Sequence, residues 1–323
     1  MIDHSLRPWK TSHWATPGAL AIGVLIGLGK LRAQNLYEGG YWDGRLWPSS
    51  PNVAAIAVDA AGDLIAAGNK LVFFNLTPVG GSGPGDIVRW DGQHWSILAT
   101  NAPGVGALAS RGGELFAGGQ FASVDNVAAT NVARWTGTNW TSMGDGLPVR
   151  PVRFATGTNA IYAASDVLAA GDSSYRLWAW DNSIWRSLGN GFAAPVKALL
   201  ATNGALYAGW SSNLSRWDGQ QWAQVATVMP NAAGMAEVRG IAMSGDTLVL
   251  AGAFGGVNGA SATNVASLHG NNWTQLGTGL PDGDVRCLSR FGTNVYLCGA
   301  FKVLENGIST NAAILTLVSN QWV

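Results

Sequence analysis

Charge is what this chain has least of. Only 12% of its 323 residues are Asp, Glu, Lys or Arg, and the 19 basic residues balance the 19 acidic ones. Without a basic field there is nothing to draw a phosphate backbone or an anionic membrane surface, so nucleic acid is excluded as a partner. Histidine is scarce too. Of four, His4 and His13 lie near the N-terminus, while His94 and His269 sit far apart in equivalent hairpin turns. A shared metal or a Ser-His-Asp triad therefore has no support. The two cysteines, Cys287 and Cys298, have no histidine near them in sequence, which argues against a metal or nucleophile role. Long apolar runs are missing apart from ALAIGVLIGLG at 19 to 29. That run is short for a bilayer span and matches a signal-peptide core, following His4, Arg7 and Lys10. Residues 1–33 are therefore expected to be a signal peptide. Lys30 and Arg32 leave an uncleaved membrane anchor as the alternative, and either way the membrane is met only through this segment.

Glycine (44) and tryptophan (16) are what the chain has in excess, and a repeat accounts for both. Residues 105 to 143 read VGALASRGGELFAGGQF, a polar loop, then NVARWTGTNWTSM. Alternating apolar positions and glycine turns make this two successive β-hairpins. Trp135 and Trp140 flank the second turn and are expected to share one face of the sheet. The couple recurs as Trp42 and Trp47, Trp90 and Trp95, Trp180 and Trp185, and Trp217 and Trp222, with degenerate copies ending in Trp273 and Trp322. Second tryptophans follow one another at 48, 45, 45, 37, 51 and 49 residues, the length of four short strands. In the first hairpin, the position of Gly118 is always small: Ala67, Ala164, Gly209, Ala251 and Cys298. Small residues there suit close sheet-on-sheet packing about an axis. The expected fold is all-β, a β-propeller of four-stranded blades over residues 36–323. Six blades are favoured, closed by both chain ends, or seven if the chain is a truncated piece.

Leu115 to Gly119 with Trp135 and Trp140 resembles the kelch motif, with Trp where kelch usually has Tyr. The pattern is similar, more closely, to the galactose-oxidase/kelch-type propeller repeats of secreted bacterial proteins. The double glycine is intact only in the second unit, and the unit ending at Trp222 has lost most of its polar loop. The resemblance implies a propeller. Kelch-type propellers include copper radical oxidases, but six tyrosines, peripheral histidines and two cysteines in one blade do not assemble such a site, so no cofactor is expected.

Cys287 and Cys298 fall on the two strands of one hairpin, opposite each other by alignment with Ala107 and Gly118. They form either a disulfide, as an exported protein allows, or a pair of small buried residues. Three polar loops, at 121–131, 254–264 and 301–311, open on Phe and close on Thr-Asn. Asp125 and Glu305 lie within them, without the alternating carboxylates of a calcium loop, and the loops read as structural. Trp178 and Trp210 stand outside the recurrent couples and are the candidates for ligand stacking, with plugging of the shortened fourth unit as the other role for Trp210. The sequence thus leans toward a non-enzymatic, exported binding or scaffold module, secreted, periplasmic or at the cell surface, with a protein or glycan partner. The alternative is a carbohydrate hydrolase or lyase using acids at the axis, drawn from Asp59, Asp63, Glu114, Asp166, Asp172, Glu237, Asp246, Asp282 and Asp284.

Overall fold

The computed structural model describes residues 53–71, 85–202, 204–280, 283–291, 294–305, 308–318 and 321–322. Residues 1–52 lie outside them, and the expected signal segment falls there. The first tryptophan couple falls there too: Trp42 lies outside the described residues, and so does Trp47. The expectation that they form a repeat couple therefore lies outside the described residues, within which the first couple is Trp90 and Trp95. The described residues contain strands and turns and no helix. No helix among them is long and apolar enough to cross a membrane.

Six antiparallel sheets follow one another along the described chain, each built from four consecutive repeat strands. Their first strands are Val53–Val58, Val105–Arg111, Pro151–Thr156, Val196–Thr202, Glu237–Ser244 and Asp284–Phe291. We number the sheets 1 to 6 in this order. Each first strand lies against the first strand of the next sheet, from sheet 1 through sheet 6. Every one carries a β-bulge at its start, at Ala54, Gly106, Val152, Lys197, Arg239 and Arg286. A bulge at a fixed place sharpens the twist and re-aims one side chain, so six copies tilt six strands alike.

The core is distributed between sheets rather than within them. Apolar clusters join sheets 1 and 2 (Ala57, Ala117), 2 and 3 (Phe116, Ile161), 3 and 4 (Leu177, Leu206), 4 and 5 (Leu214, Leu250), and 5 and 6 (Val249, Leu297). Small residues make these seams tight. A Cβ on Gly118 would lie 2.5 Å from Pro151 Cγ, and one on Gly209 would collide with Val238, in both cases on the next sheet's first strand. The size limit read from the repeat therefore has a steric cause.

The tryptophan couples of sheets 1 to 4 are direct cross-strand partners: Trp90 with Trp95, Trp135 with Trp140, Trp180 with Trp185 and Trp217 with Trp222. Their ring centroids lie 5.3 to 5.5 Å apart, a tilted contact favourable to indoles. In sheets 5 and 6 a leucine replaces the first member, opposite Trp273 and Trp322. The second tryptophan also reaches the preceding sheet. Trp140 Nε1 donates to Leu98 O at 2.8 Å, Trp222 Nε1 to Leu188 O at 2.9 Å and Trp322 Nε1 to Leu276 O at 3.4 Å.

The polar loops are fasteners as well. Asp125 and Asn258 both adopt φ 48°, a conformation that Asp and Asn tolerate better than most residues. Asp125 accepts the amides of Thr100 and Asn101 beyond the last strand of sheet 1, and Asn258 accepts that of Thr227 in the last strand of sheet 4. Asn131 and Asn264, both at φ 64°, donate forward to Leu147 O (2.7 Å) and Leu280 O (2.6 Å), on the passage into the next sheet. The third loop differs. Strand Asn294–Glu305 runs on and pairs with Ile308–Val318, and the Glu305 side chain lies outside the described residues.

Trp140→Phe removes a satisfied inter-sheet donor, whereas Trp180→Phe removes an indole N–H that is buried without a partner among the described residues. Trp140→Phe should therefore cost more stability than Trp180→Phe, by about 1 kcal/mol, in urea unfolding. Equal costs would remove the indole bond from the account of the seam.

Candidate functional site

Curvature follows from what the first strands enclose. Ile56–Val58, Leu108–Ser110, Phe154–Thr156 and Leu199–Ala201, from four consecutive sheets, line one cavity of about 270 Å³. Four sheets can share one space only if their first strands turn about a common axis. This is the mouth on the side of the hairpin turns, and its walls are Leu, Ile, Val, Ala and Phe with Ser110 and Thr156. No acid or histidine lines it.

The other mouth, where the first strands begin, is charged. Lys197 at the bulge of sheet 4 pairs with Glu237, which also accepts from Arg239 Nε at 2.6 Å. Arg239, at the bulge of sheet 5, continues to Asp284, which in turn accepts from Arg286 Nε at 2.9 Å. Cations and carboxylates thus alternate over three sheets. Arg239 Nη1 also donates to Val285 O at 3.1 Å. On sheet 3, Arg153 takes the place that is Ala or Gly in most units, and its Nε donates to Lys197 O at 3.2 Å. Burial lowers the Arg153 pKa, with Asp166 opposing. Burial alone would raise the Glu237 and Asp284 carboxyls; hydrogen bonds from Lys197 and Arg239, and from Arg286 and Arg239, outweigh it and hold both below their ordinary values.

Carboxylates in this condition are poor general acids, which need a raised pKa. Five of the other sequence candidates are also engaged, while Asp246 is exposed in the turn of its hairpin. Arg89 pairs with Asp63 and, at 3.3 Å, with Asp59. Arg134 pairs with Glu114 at 3.4 Å, Arg150 with Asp166 at 3.2 Å and Arg176 with Asp172 at 2.9 Å. Asp282 lies outside the described residues. Among the described residues no group of three or more His, Cys, Asp or Glu is placed to hold a metal ion. Asp91, Asp181 and Asp218, which follow the first tryptophan of their couples, each accept two backbone amides of their own turn.

Trp178, a candidate for ligand stacking, is 7% exposed and packs in the seam between sheets 2 and 3 with Phe116, Met143 and Ile161. It has no face to offer a ligand, so that assignment is corrected to a core role. Trp210 is half-buried: its ring lies 5.6 Å from Phe192 and its Nε1 donates to Ser215 Oγ at 3.1 Å. That packing fits the plugging role. The room left by the short fourth unit is also used from outside, because its last strand, Trp222–Met229, pairs with Gly256–Val257 of the loop from sheet 5. Cys287 and Cys298 are register partners 5.0 Å apart at Cα, with their sulfurs joined.

The chain's likeness to solved proteins is one of fold. It is similar to a chain of a mitotic checkpoint complex (13% identity, TM-score 0.52, 85% of this chain and 86% of that one). It is similar to YjhT (12%, 0.51, covering 87% and 99%) and to the WD40 β-propeller domain of Doa1 (11%, 0.50, covering 81% and 76%). No family model matches the chain, and no curated protein matches it in sequence. With the strand order, the seams and the shared axial space, these likenesses define the class: the fold is a β-propeller.

The charged ladder makes stability depend on acid. A carboxyl held below its ordinary value contributes stability that is fully present above that value and lost as pH falls through the folded one. For Glu237 and Asp284 the ordinary values are 4.5 and 3.8, so the contribution is intact at pH 7 and fades in the acid range below about 4.5. Glu237→Gln should lower stability at pH 7, and the gap to the parent should narrow by pH 3 in thermal unfolding. A gap independent of pH would contradict the pairing.

Proposed function

We propose that the chain is a six-bladed, closed propeller of kelch-like repeats, exported and acting at the cell surface as a rigid binding or scaffold module. Its partner, a protein or a glycan, meets the axial mouth and the turns around it. The observation that carries this reading is the lining of that mouth, apolar with two hydroxyls and without acids or histidines. Such a surface can bury contact area but has no group to move a proton. Closure is supported by sheet 1, whose outer face (Ala66, Val88, Trp90, Trp95) is as buried as the five seams. A face of that kind needs a cover, and in the proposed ring sheet 6 is assigned that place. Export is supported by the apolar run at 19 to 29 and by the cysteine pair. The competing reading, a carbohydrate hydrolase or lyase, is weakened because seven of its nine candidate acids, all but Asp246 and Asp282, are tied to cations.

The test is a pull-down and glycan array with residues 36–323, comparing the parent with Thr156→Trp. Thr156 is exposed and lines the mouth, so the indole should block it without touching a seam. Loss of captured partners at unchanged melting supports the reading, and capture indifferent to this change overturns the axial site. For export, Cys287 and Cys298 should resist alkylation until reductant is added; labelling at once would contradict a structural disulfide.

A further inference from the structure

A second cavity, of about 220 Å³, opens between sheets 1 and 2 on the turn side, away from the axis. Asp59 and Arg89 of sheet 1 face Glu114 and Trp135 of sheet 2 across it, and Ala60 and Gly137 form its rim. From this set of residues we propose that the crevice binds a single neutral pyranose, such as the terminal ring of a glycan.

The neighbouring seam shows why this one is open. Between sheets 2 and 3, the Arg111 side chain crosses the gap, lying 5.8 Å over the Phe116 ring and donating to Asn182 Oδ1 at 2.9 Å. At the seam of sheets 1 and 2 the matching positions are Asp59 and Gly137. Asp59 is folded back into its own turn, where Oδ1 accepts the amides of Ala61 (2.9 Å) and Asp63 (3.0 Å). Gly137 has no side chain to meet it. The strut that fills one seam is absent from the other, and the space it leaves is lined by Asp59, Arg89, Glu114 and Trp135 above an apolar floor of Ile65, Leu98 and Leu115.

The lining suits a sugar ring. Trp135 presents an indole to one wall, a surface on which the C–H face of a pyranose stacks. Asp59 Oδ2 sits 3.3 Å from Arg89 Nη2, and Glu114 Oε1 sits 3.4 Å from Arg134 Nη1. Each carboxylate is thereby held in place and keeps lone pairs for a hydroxyl, while Arg89 supplies donors. Two acids against one arginine in the lining leave a net negative wall, which disfavours uronic or sialic acids. The volume falls below the roughly 300 Å³ at which sites for drug-sized ligands begin, so one ring is what fits.

The experiment is an array of immobilised neutral, amine-bearing and carboxylate-bearing pyranosides probed with the whole chain, followed by calorimetry on the retained sugars. Neutral pyranosides should be retained. Gly137→Asn, which supplies the residue found at the filled seam, and Ala60→Arg on the exposed rim should each weaken binding tenfold or more. Glu114→Gln, which keeps the shape and removes the charge, should weaken it roughly tenfold. All three are to be compared at unchanged thermal unfolding, and two rim variants guard against one that fails to fold. Retention of no sugar, or of charged sugars alone, overturns the proposal. So does binding insensitive to both rim variants. Binding abolished by Thr156→Trp but not by the rim variants assigns the sugar to the axial mouth instead and also overturns it.

Discussion

A four-stranded antiparallel sheet of short strands hides little apolar surface by itself, so its stability comes from what covers its two faces. In this protein that cover is the next sheet, and the seam between sheets is where the sequence spends its specific residues. Phe116 against Ile161 and Leu214 against Leu250 provide the burial. Gly118 and Gly209 set how closely the sheets approach, because any larger side chain would meet the neighbouring first strand. Direction is added by polar fasteners. Asp125 and Asn258 reach back to the preceding sheet, while Asn131 and Asn264 hold the passage into the next. Burial is indifferent to register, and these hydrogen bonds are not, so together they fix both strength and alignment.

The same arrangement makes the two mouths unlike. Bulges at the start of the first strands bring Lys197, Arg239 and Arg286 to one end, where Glu237 and Asp284 fall between them. Half-exposed ion pairs of this kind contribute modestly one at a time, and more as a chain whose members restrain one another. At the other end the strands present Leu, Ala, Ser and Thr to a common space. A fold held by its seams leaves the loops at both mouths free to vary.

Much of this is legible in the repeat. The tryptophan couples announce their register because five residues across an even turn place both rings on one face, and the structure pairs them directly from Trp90 and Trp95 onward. Trp47 has the same spacing from Trp42 but lies outside the described residues, so its pairing rests on the sequence pattern alone. The small position at Gly118 likewise points to the seam. Trp178 is the misjudged residue. It lies two positions before Trp180, and residues i and i+2 of a strand share a face, so period two alone assigns it to the core that Trp180 occupies. The charged ladder escapes a reading of the sequence although Glu-Val-Arg at 237–239 and Asp-Val-Arg at 284–286 repeat a signal. Glu237 and Asp284 look like isolated acids there, because a bulge that turns the arginine toward the next sheet leaves no mark in hydrophobic periodicity. The crevice beside Trp135 is equally invisible, since it depends on a side chain, Arg111, that is present at one seam and replaced at the next.

Closure of the sheets about one axis is the proposal on which the binding reading depends, and a distance between the first and last sheets tests it most directly. Spin labels at Ala60 and Gly113 report neighbouring sheets, and labels at Ala60 and Arg290 report sheets 1 and 6, in a background with Cys287 and Cys298 replaced by alanine. Electron-electron double resonance should give the second pair a separation like that of the first, because a closed ring makes sheet 6 the neighbour of sheet 1. A second distance near the span of the whole arc would contradict closure and leave sheet 1 with an open face.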